Sequence, residues 1–159
     1  MDNGAEEAKR HGVERSSHWT TVEKAHKIME PFCKACGQAN RHSIQVHHKF
    51  PFHYAVALGR PDLELDHRNL ISLCETTENN PSPNHHLRIG HLGDFKEGNL
   101  LVEEDSTKTF FQLDEKTIEE NVIYLDKVKN GRIKSLDLMT DQEKKDFRDL
   151  MDKTYPVQS

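Results

Sequence analysis

The sequence predicts an α+β protein in which a small two-stranded core lies between flanking helices at both ends. The evidence is a helical period over residues 17–30, two short strand patterns at 43–47 and 69–74, and helix-start signals at Thr117 and Thr140. A chain of 159 residues holds one domain of ordinary size. Its hydrophobic fraction of 34% is below the usual range of about 45–50%, so we expect a modest core that depends on metals or partners.

The N-terminal part of the chain divides into a leader and a helix. Residues 1–16 are polar and have no apolar period, which predicts a mobile leader. Apolar side chains then recur three or four residues apart over 17–30, as expected for a helix. We expect Ser17 or Thr20 to cap this helix and Pro31 to end it.

Two strands and a long connection follow. Residues 43–47 alternate apolar and polar side chains, and 69–74 form a second short apolar run, so both are predicted strands. The connection between them spans 50–68, and a loop of that length without structure of its own is uncommon unless it serves a site. After the second strand we expect a short helix over 82–89, ended by Gly90.

The C-terminal third is predicted to contain one hairpin and two helices. Residues 99–111 are expected to form the hairpin, with its turn at 104–106. Capping boxes that begin at Thr117 and Thr140 predict helices to about residues 130 and 153.

Charge and hydropathy exclude several classes of protein. The net charge of −5 argues mildly against a nucleic-acid binder, so DNA binding would depend on bound cations and a few local Lys and Arg residues. No apolar run approaches the ~18–20 residues that span a bilayer, and the N-terminus lacks a signal-peptide pattern. We therefore expect a cytoplasmic protein without a membrane partner. Three cysteines cannot all pair, which argues against a disulfide scaffold.

Histidine and cysteine are concentrated in one part of the chain. Eleven histidines are present, and eight of them lie between His42 and His91. Cys74 lies in the same window, and Cys33 and Cys36 come shortly before it. Cys33 and Cys36 form a Cys-x-x-Cys pair, a spacing typical of metal sites or of redox pairs. Cys74, at the end of the second strand, would supply a third thiolate to a tetrahedral zinc ion. His85 is the best candidate for the fourth ligand, followed by His86 or by an arrangement with three ligands.

His47 and His48 are expected to have different roles. Adjacent side chains of a strand point to opposite sides, so two consecutive histidines are poorly placed to bind one ion together. A neutral imidazole can bind a divalent cation, and a second imidazole can accept a proton from water at neutral pH.

The ordered motifs resemble those of the HNH endonuclease family over about residues 31–99. In chain order they are Cys33-x-x-Cys36, Val46-His47-His48-Lys49-Phe50-Pro51, Asp66-His67-Arg68-Asn69-Leu70-Ile71-Ser72-Leu73-Cys74, His85-His86 and Gly90-His91-Leu92. The resemblance implies a ββα-metal core, in which two strands, a long loop and a helix hold one catalytic divalent metal. In many members a structural zinc is also present.

The resemblance also implies a role for each matching residue. His47 corresponds to the first metal ligand and His48 to the general base that activates the attacking water. Asn69 corresponds to the residue that tethers the long loop and holds the base in line. His86 and His91 correspond to the final metal ligands, and the cation is expected to be Mg²⁺, Mn²⁺, Ni²⁺ or Zn²⁺.

Two features depart from the family pattern. The family usually has a second Cys-x-x-Cys before the helix, whereas this chain has Cys74 and then His85, so a structural Zn²⁺ is bound by three cysteines and one histidine or is not bound. The family's helix histidines stand four residues apart, whereas His86 and His91 stand five apart, about 140° around a regular helix. Both can reach one metal only if the helix ends near Gly90. Some phage-type members have a similar His-x-x-x-Gly-His ending.

The implied function is hydrolysis of DNA phosphodiester bonds with low sequence specificity, in a bacterial or phage-type setting. The expected parts of the chain are a leader over 1–16, a nuclease core with its N-terminal helix over 17–105, and a helical extension over 106–159 packed on the core. DNA is expected to be contacted through its phosphates on the minor-groove side. The candidates for those contacts are Lys49, Arg68, Arg88 and Lys96.

Two alternatives remain open from the sequence. One is a non-catalytic, zinc-stabilised module that binds nucleic acid or protein, and the other is a metal-dependent hydrolase that acts on a substrate other than DNA. The sequence leaves the oligomeric state open.

Overall fold

The computed structural model describes residues 15–95, 97–112 and 133–158, and in these ranges the protein is a mixed helix and strand structure. The helices are α1 (Trp19–Met29), α2 (Phe52–Ala57), α3 (Val102–Gln112) and α4 (Asp141–Thr154), and the strands are β1 (Ile44–His48) and β2 (Leu70–Cys74). A π-helical turn, His86–Gly90, lies between β2 and α3. The predicted α+β composition is confirmed at this level. Among the helices of the described ranges, none combines the length and the hydropathy that spanning a bilayer requires.

The two strands form one antiparallel sheet, with His47 opposite Ile71 and His48 opposite Leu70. Cross-strand partners share a face of the sheet, and neighbours in one strand point to opposite faces. One face packs against α1, where Trp19 contacts Val46 and Leu70. His47 and His48, at the end of β1, therefore point to opposite faces of the sheet.

Helix α1 agrees with the predicted helix, but its predicted caps are wrong. The residue that precedes the helix is His18, and no side chain caps the first turn. Thr20 lies inside the helix, one residue after Trp19. The burial of Trp19 against the sheet sets where this helix begins, because tertiary packing overrides a local capping preference.

The connection over 50–68 is more ordered than the sequence predicts. It contains α2 and two 3₁₀ helices, Pro61–Glu64 and His67–Asn69. Its apolar side chains pack against α4, since Phe50, Tyr54 and Leu63 share a core with Phe147 and Met151. The connection is therefore a small packed unit that the C-terminal helix covers.

Arg60 anchors the C-terminus to this unit. Its side chain is 1% exposed and forms ion pairs with Asp62 and Asp152. The guanidinium also donates a hydrogen bond to the carbonyl of Tyr155. A buried guanidinium with this many acceptors retains its charge, because the hydrogen bonds and ion pairs offset the cost of its desolvation.

Of three predictions about the C-terminal half, one is wrong, one is confirmed in part and one is confirmed. Residues 99–111 do not form a hairpin, because Val102–Gln112 is helix α3 and its first turn carries acidic residues that suit a helix N-terminus. The short helix predicted over 82–89 is present in part, since residues 81–84 are irregular and the helical segment is the π-helical turn, which ends at Gly90 as expected. The capping box at Thr140 is confirmed.

Other expectations lie wholly or partly outside the described ranges. The helix predicted over 117–130 falls outside them, as do Lys96 and all of the leader except its last two residues. Helix α3 runs across the boundary expected between 105 and 106.

Candidate metal centres

Three cysteines and one histidine converge on the side of the sheet where β2 ends. The ligand atoms of Cys33, Cys36, Cys74 and His85 all lie within 4.8 Å of one another. The Nδ1 atom of His85 is 3.6 Å from the sulfur of Cys33 and 3.6 Å from the sulfur of Cys74. All three thiols are free, and only Cys36 is partly exposed. We name these four residues the thiolate cluster.

The backbone holds the thiolate cluster in place. The turn after Cys33 is closed by a 2.8 Å hydrogen bond from the Gly37 N–H to the Cys33 carbonyl, and Gly37 has φ = +76°. The N–H of Lys34 donates to the carbonyl of Ser72, which joins this turn to β2. The His85 N–H points at the sulfur of Cys74, 3.4 Å away. Three sulfurs and one nitrogen in this arrangement are a donor set typical of structural zinc.

The acid–base properties of the thiolate cluster also fit a cation. Hydrogen bonds from Cys33 and Cys36 lower the pKa of the Cys74 thiol, whereas pairing with Cys36 and Cys74 raises the pKa of Cys33. The Cys74 sulfur therefore ionises readily, whereas the Cys33 sulfur needs a positive charge nearby to do so. Burial would lower the pKa of His85, but its contacts with Cys36 and Cys74 raise it to about 9.

Three further histidines form a second group, which we name the imidazole cluster. The ligand atoms of His47, His86 and His91 lie within 4.8 Å of one another. His47 extends from β1, and the other two rings come from the start of the π-helical turn and from the residue just after it. The centroid of the His47 ring is 5.1 Å from that of His86 and 4.7 Å from that of His91.

The π-helical turn explains how His86 and His91 meet. The N–H of His91 donates to the carbonyl of His86, five residues earlier, so residues five apart share one side of the turn. The turn ends at Gly90, where an added Cβ would lie 3.2 Å from the Cε1 atom of His47. A glycine at this position lets the backbone approach the His47 ring closely.

Hydrogen bonds fix the tautomers of two rings in the imidazole cluster. The Nδ1–H of His91 donates to the carbonyl of Glu97 at 2.8 Å, and the Nδ1–H of His86 donates to the Glu75 carboxylate at 3.1 Å. In the neutral rings both Nε2 atoms then carry lone pairs, yet these two atoms lie 3.1 Å apart. Two lone pairs at this distance repel unless a proton or a cation lies beside them.

His47 strengthens the case for a cation rather than a proton. Its Nε2 is buried and has no hydrogen-bond partner within the described part of the chain. Burial and the neighbouring charges of His91 and His86 place the pKa of His47 well below its ordinary value. Burial and His86 likewise lower the pKa of His91 to about 3. Neutral rings with converging lone pairs are the form that binds a divalent metal.

His48 lies outside the imidazole cluster. Its ring packs between Trp19 and Phe52, with centroids 4.7 Å and 5.9 Å away, and the residue is 7% exposed. Its Nε2 is 2.8 Å from the carbonyl of Glu64. A carbonyl only accepts hydrogen bonds, so this nitrogen carries the proton, and in the neutral ring Nδ1 carries the lone pair.

Asn69 joins the ends of the connection that contains α2. Its side-chain amide donates to the carbonyls of Phe50 and Leu63, and its Oδ1 accepts from the Phe50 N–H at 2.7 Å. The residue is fully buried. Since Leu63 precedes Glu64, these bonds also position the carbonyl that orients the His48 ring.

The four Lys and Arg side chains expected to contact phosphates have different surroundings. Lys49 is paired with Glu103 at 2.9 Å, and Arg68 is paired with Asp66 at 2.7 Å. Arg88, on the π-helical turn, is exposed. Lys96 lies outside the described ranges.

Sequence patterns did not identify two residues that hold these histidines. Glu75 lies directly after a cysteine and has no motif of its own, although its carboxylate bonds His86. Trp19 gave a helical signal only, although its ring covers one side of His48. A carboxylate beside a predicted ligand is the one sequence signal that points to Glu75.

Comparisons of the chain with known protein families, curated proteins and solved structures found no match. The function is therefore argued from the geometry of the two clusters and from the residues beside them.

Proposed function

We propose that the protein is a metal-dependent DNA endonuclease of the HNH type, whose ββα-metal core consists of β1, β2 and the π-helical turn. The observation that carries the proposal is the 3.1 Å approach of the two Nε2 lone pairs of His86 and His91 beside the buried His47. A cation accounts for that approach. A histidine whose tautomer suits a general base is the next residue of β1.

The ligands favour some divalent metals over others. A cation held by His47, His86 and His91 would stabilise negative charge on a phosphodiester oxygen and on the leaving 3′ oxygen. Imidazole nitrogens suit Zn²⁺ and Ni²⁺, whereas Mg²⁺ prefers oxygen ligands and retains its waters. Of Mg²⁺, Mn²⁺, Ni²⁺ and Zn²⁺, we therefore expect Mg²⁺ to bind most weakly.

His48 would serve as the general base. The hydrogen bond to the Glu64 carbonyl keeps the proton on Nε2, so Nδ1 can accept a proton from water. Trp19 and Phe52 restrict rotation of the ring. Asn69 holds the strand and the connection together around this carbonyl, which is a positioning role and needs no contact with substrate.

DNA would be bound mainly through the metal ion and a few Lys and Arg side chains. Three neutral ligands leave the full positive charge of the ion facing a phosphate, which offsets the acidic chain. Arg88 is exposed on the same turn as His86, where its guanidinium can contact the phosphate backbone of DNA. With so few cations, little reading of base sequence is expected, and cleavage of low sequence specificity follows.

Plasmid nicking by wild-type protein and by His48→Ala tests the proposal. With Mn²⁺, Ni²⁺ or Zn²⁺ present, we expect His48→Ala to lose about 10²–10⁴-fold in rate, the usual size of general-base catalysis. His42→Ala is the matched control, because His42 is exposed on the 3₁₀ helix before β1. Cleavage that persists in His48→Ala would refute the assigned role.

One observation favours a second candidate function, a non-catalytic zinc-stabilised module that binds nucleic acid or protein. His48 is 7% exposed, so its ring also serves as part of the packing between α1 and α2. If the thiolate cluster binds zinc while the imidazole cluster binds none of the four metals and no DNA is cleaved, this second function is favoured. Metal binding by the imidazole cluster without cleavage of plasmid or single-stranded DNA instead favours a hydrolase that acts on another substrate.

A further inference from the structure

The thiolate cluster and the imidazole cluster are joined at two places in the chain. Cys74 and Glu75 are neighbours, and so are His85 and His86. In each pair the first residue belongs to the thiolate cluster, and the second residue contacts or belongs to the imidazole cluster. The two pairs also lie side by side, because the His85 N–H points at the Cys74 sulfur while His86 bonds Glu75.

The position of Glu75 is set by the sheet. Its N–H donates a 2.6 Å hydrogen bond to the carbonyl of Ser43, which extends the pairing of the strands by one residue beyond β2. Its side chain is 20% exposed and that of His86 is 15% exposed, so water competes only partly for their hydrogen bond. The Glu75 carboxylate therefore extends to His86 from a backbone that the sheet holds in place.

The chemistry of this contact follows a general rule for metal-binding histidines. A carboxylate that accepts the Nδ1–H of a ligand fixes the tautomer, orients the ring and makes the other nitrogen a better donor. His91 has a backbone carbonyl in the equivalent place, which a side-chain substitution cannot remove. Glu75 thus makes this contact with a side chain, which a substitution can remove.

We propose that Glu75 is a positioning residue for metal binding by His86, and that it transmits the rigidity of the thiolate cluster to the imidazole cluster. The inference deepens the proposed function and rests on it, since it requires a cation at His47, His86 and His91. Glu75 contacts neither substrate nor cation and acts through the ring of His86. Loss of zinc from the thiolate cluster then weakens the second centre through the two joined residue pairs.

The test is a Co²⁺ titration, followed by visible absorption, of wild type, Glu75→Ala and Glu75→Gln that each carry a single equivalent of Zn²⁺ for the thiolate cluster. We expect Glu75→Ala to weaken Co²⁺ binding by about 10–100-fold and to change the absorption spectrum. Glu75→Gln should lie between wild type and Glu75→Ala, because its amide oxygen accepts the same hydrogen bond without the charge. Glu78→Ala is the matched control, since Glu78 is an exposed acid in the following turn.

The outcomes separate this inference from the proposed function. If both Glu75 variants bind Co²⁺ with an affinity within twofold of wild type and show an unchanged absorption spectrum, the inference about Glu75 is overturned and the proposed function is not. Failure of the zinc-loaded wild type to bind Co²⁺ overturns both. Wild type that binds Co²⁺ and cleaves no DNA overturns the proposed function and leaves the role of Glu75 standing. Zinc content and melting temperature, measured for each variant, show whether the thiolate cluster and the fold are intact.

Discussion

The Nε2 atoms of His86 and His91 lie 3.1 Å apart although five residues separate them in the chain. In a regular α-helix these side chains would point about 140° apart. The π-helical turn, in which the His91 N–H bonds the His86 carbonyl, places them on one side. Local backbone geometry thus brings histidines five residues apart together and completes the imidazole cluster.

Substitutions of the adjacent residues His85 and His86 should each reduce binding of a different metal ion. His86→Ala removes a ligand from the imidazole cluster, so we expect loss of the second metal and at least 10²-fold slower DNA cleavage, because metal stabilisation is worth several kcal/mol. His85→Ala should instead lower zinc content and melting temperature, since it opens the thiolate cluster. Metal analysis of both variants beside plasmid assays checks this. Equal zinc loss in the two variants would contradict the separation of the clusters.

Gly90→Ala should disturb the imidazole cluster through the ring of His47. The added Cβ would lie 3.2 Å from Cε1 and 3.3 Å from both ring nitrogens, which is closer than ordinary packing allows. We expect weaker binding of the second metal and a loss of about 1–3 kcal/mol in the free energy of unfolding. Calorimetric titration with Ni²⁺ and urea denaturation measure the two effects. Unchanged values of both would show that the His47 ring can move aside freely.

Asn69→Ala should destabilise the fold and misplace His48. It leaves three buried backbone groups without their partner, namely the N–H and carbonyl of Phe50 and the carbonyl of Leu63. At about 1–3 kcal/mol for each unsatisfied group, the free energy of unfolding should fall by about 3 kcal/mol or more. Urea denaturation measures this fall. Asn79→Ala, at an exposed position, is the control and should change stability by less than about 0.5 kcal/mol.

Glu30 should make stability depend on pH in the acid range. Burial alone would raise the pKa of this carboxyl, but hydrogen bonds with His26 and the Ser72 N–H, together with Lys34, lower it below the ordinary value of 4.5. Between the two pKa values the unfolded chain binds more protons, so stability falls as the pH drops through this window. The stability difference between wild type and Glu30→Gln should therefore be full above pH 4.5 and shrink below it. Denaturation curves at several pH values test this. A difference that is constant to the lowest pH would contradict it.

The sequence predicted the composition of both clusters better than it predicted the helices around them. Cys33, Cys36, Cys74 and His85 converge as their order suggested, because strand ends and a short turn leave few other places for those side chains. The hairpin over 99–111 was wrong, since the polar residues at 104–106 that suggest a turn fit the acidic first turn of a helix equally well. The buried face of α3 decides between these two structures.

Other features depended on contacts between segments far apart in the chain. His48 bonds the Glu64 carbonyl, and its ring packs against Trp19. These three residues are far apart in the chain, so no local sequence pattern predicts their contacts. The carboxylate of Glu75 reaches His86 only because the thiolate cluster draws Cys74 and His85 together. Such contacts depend on how the elements dock.

The sequence by itself determined which residue types are available to the two candidate metal centres and their order along the chain relative to two short strands. The tertiary structure decided between His85 and His86 as the neighbour of the thiols, a choice that the sequence left open, and only the tertiary structure showed that a π-helical turn aligns His91 with His86. The physical reason is that donor type is a property of each residue, whereas coordination requires several lone pairs to meet at one point. That convergence is set by backbone hydrogen bonds and packing around the whole site.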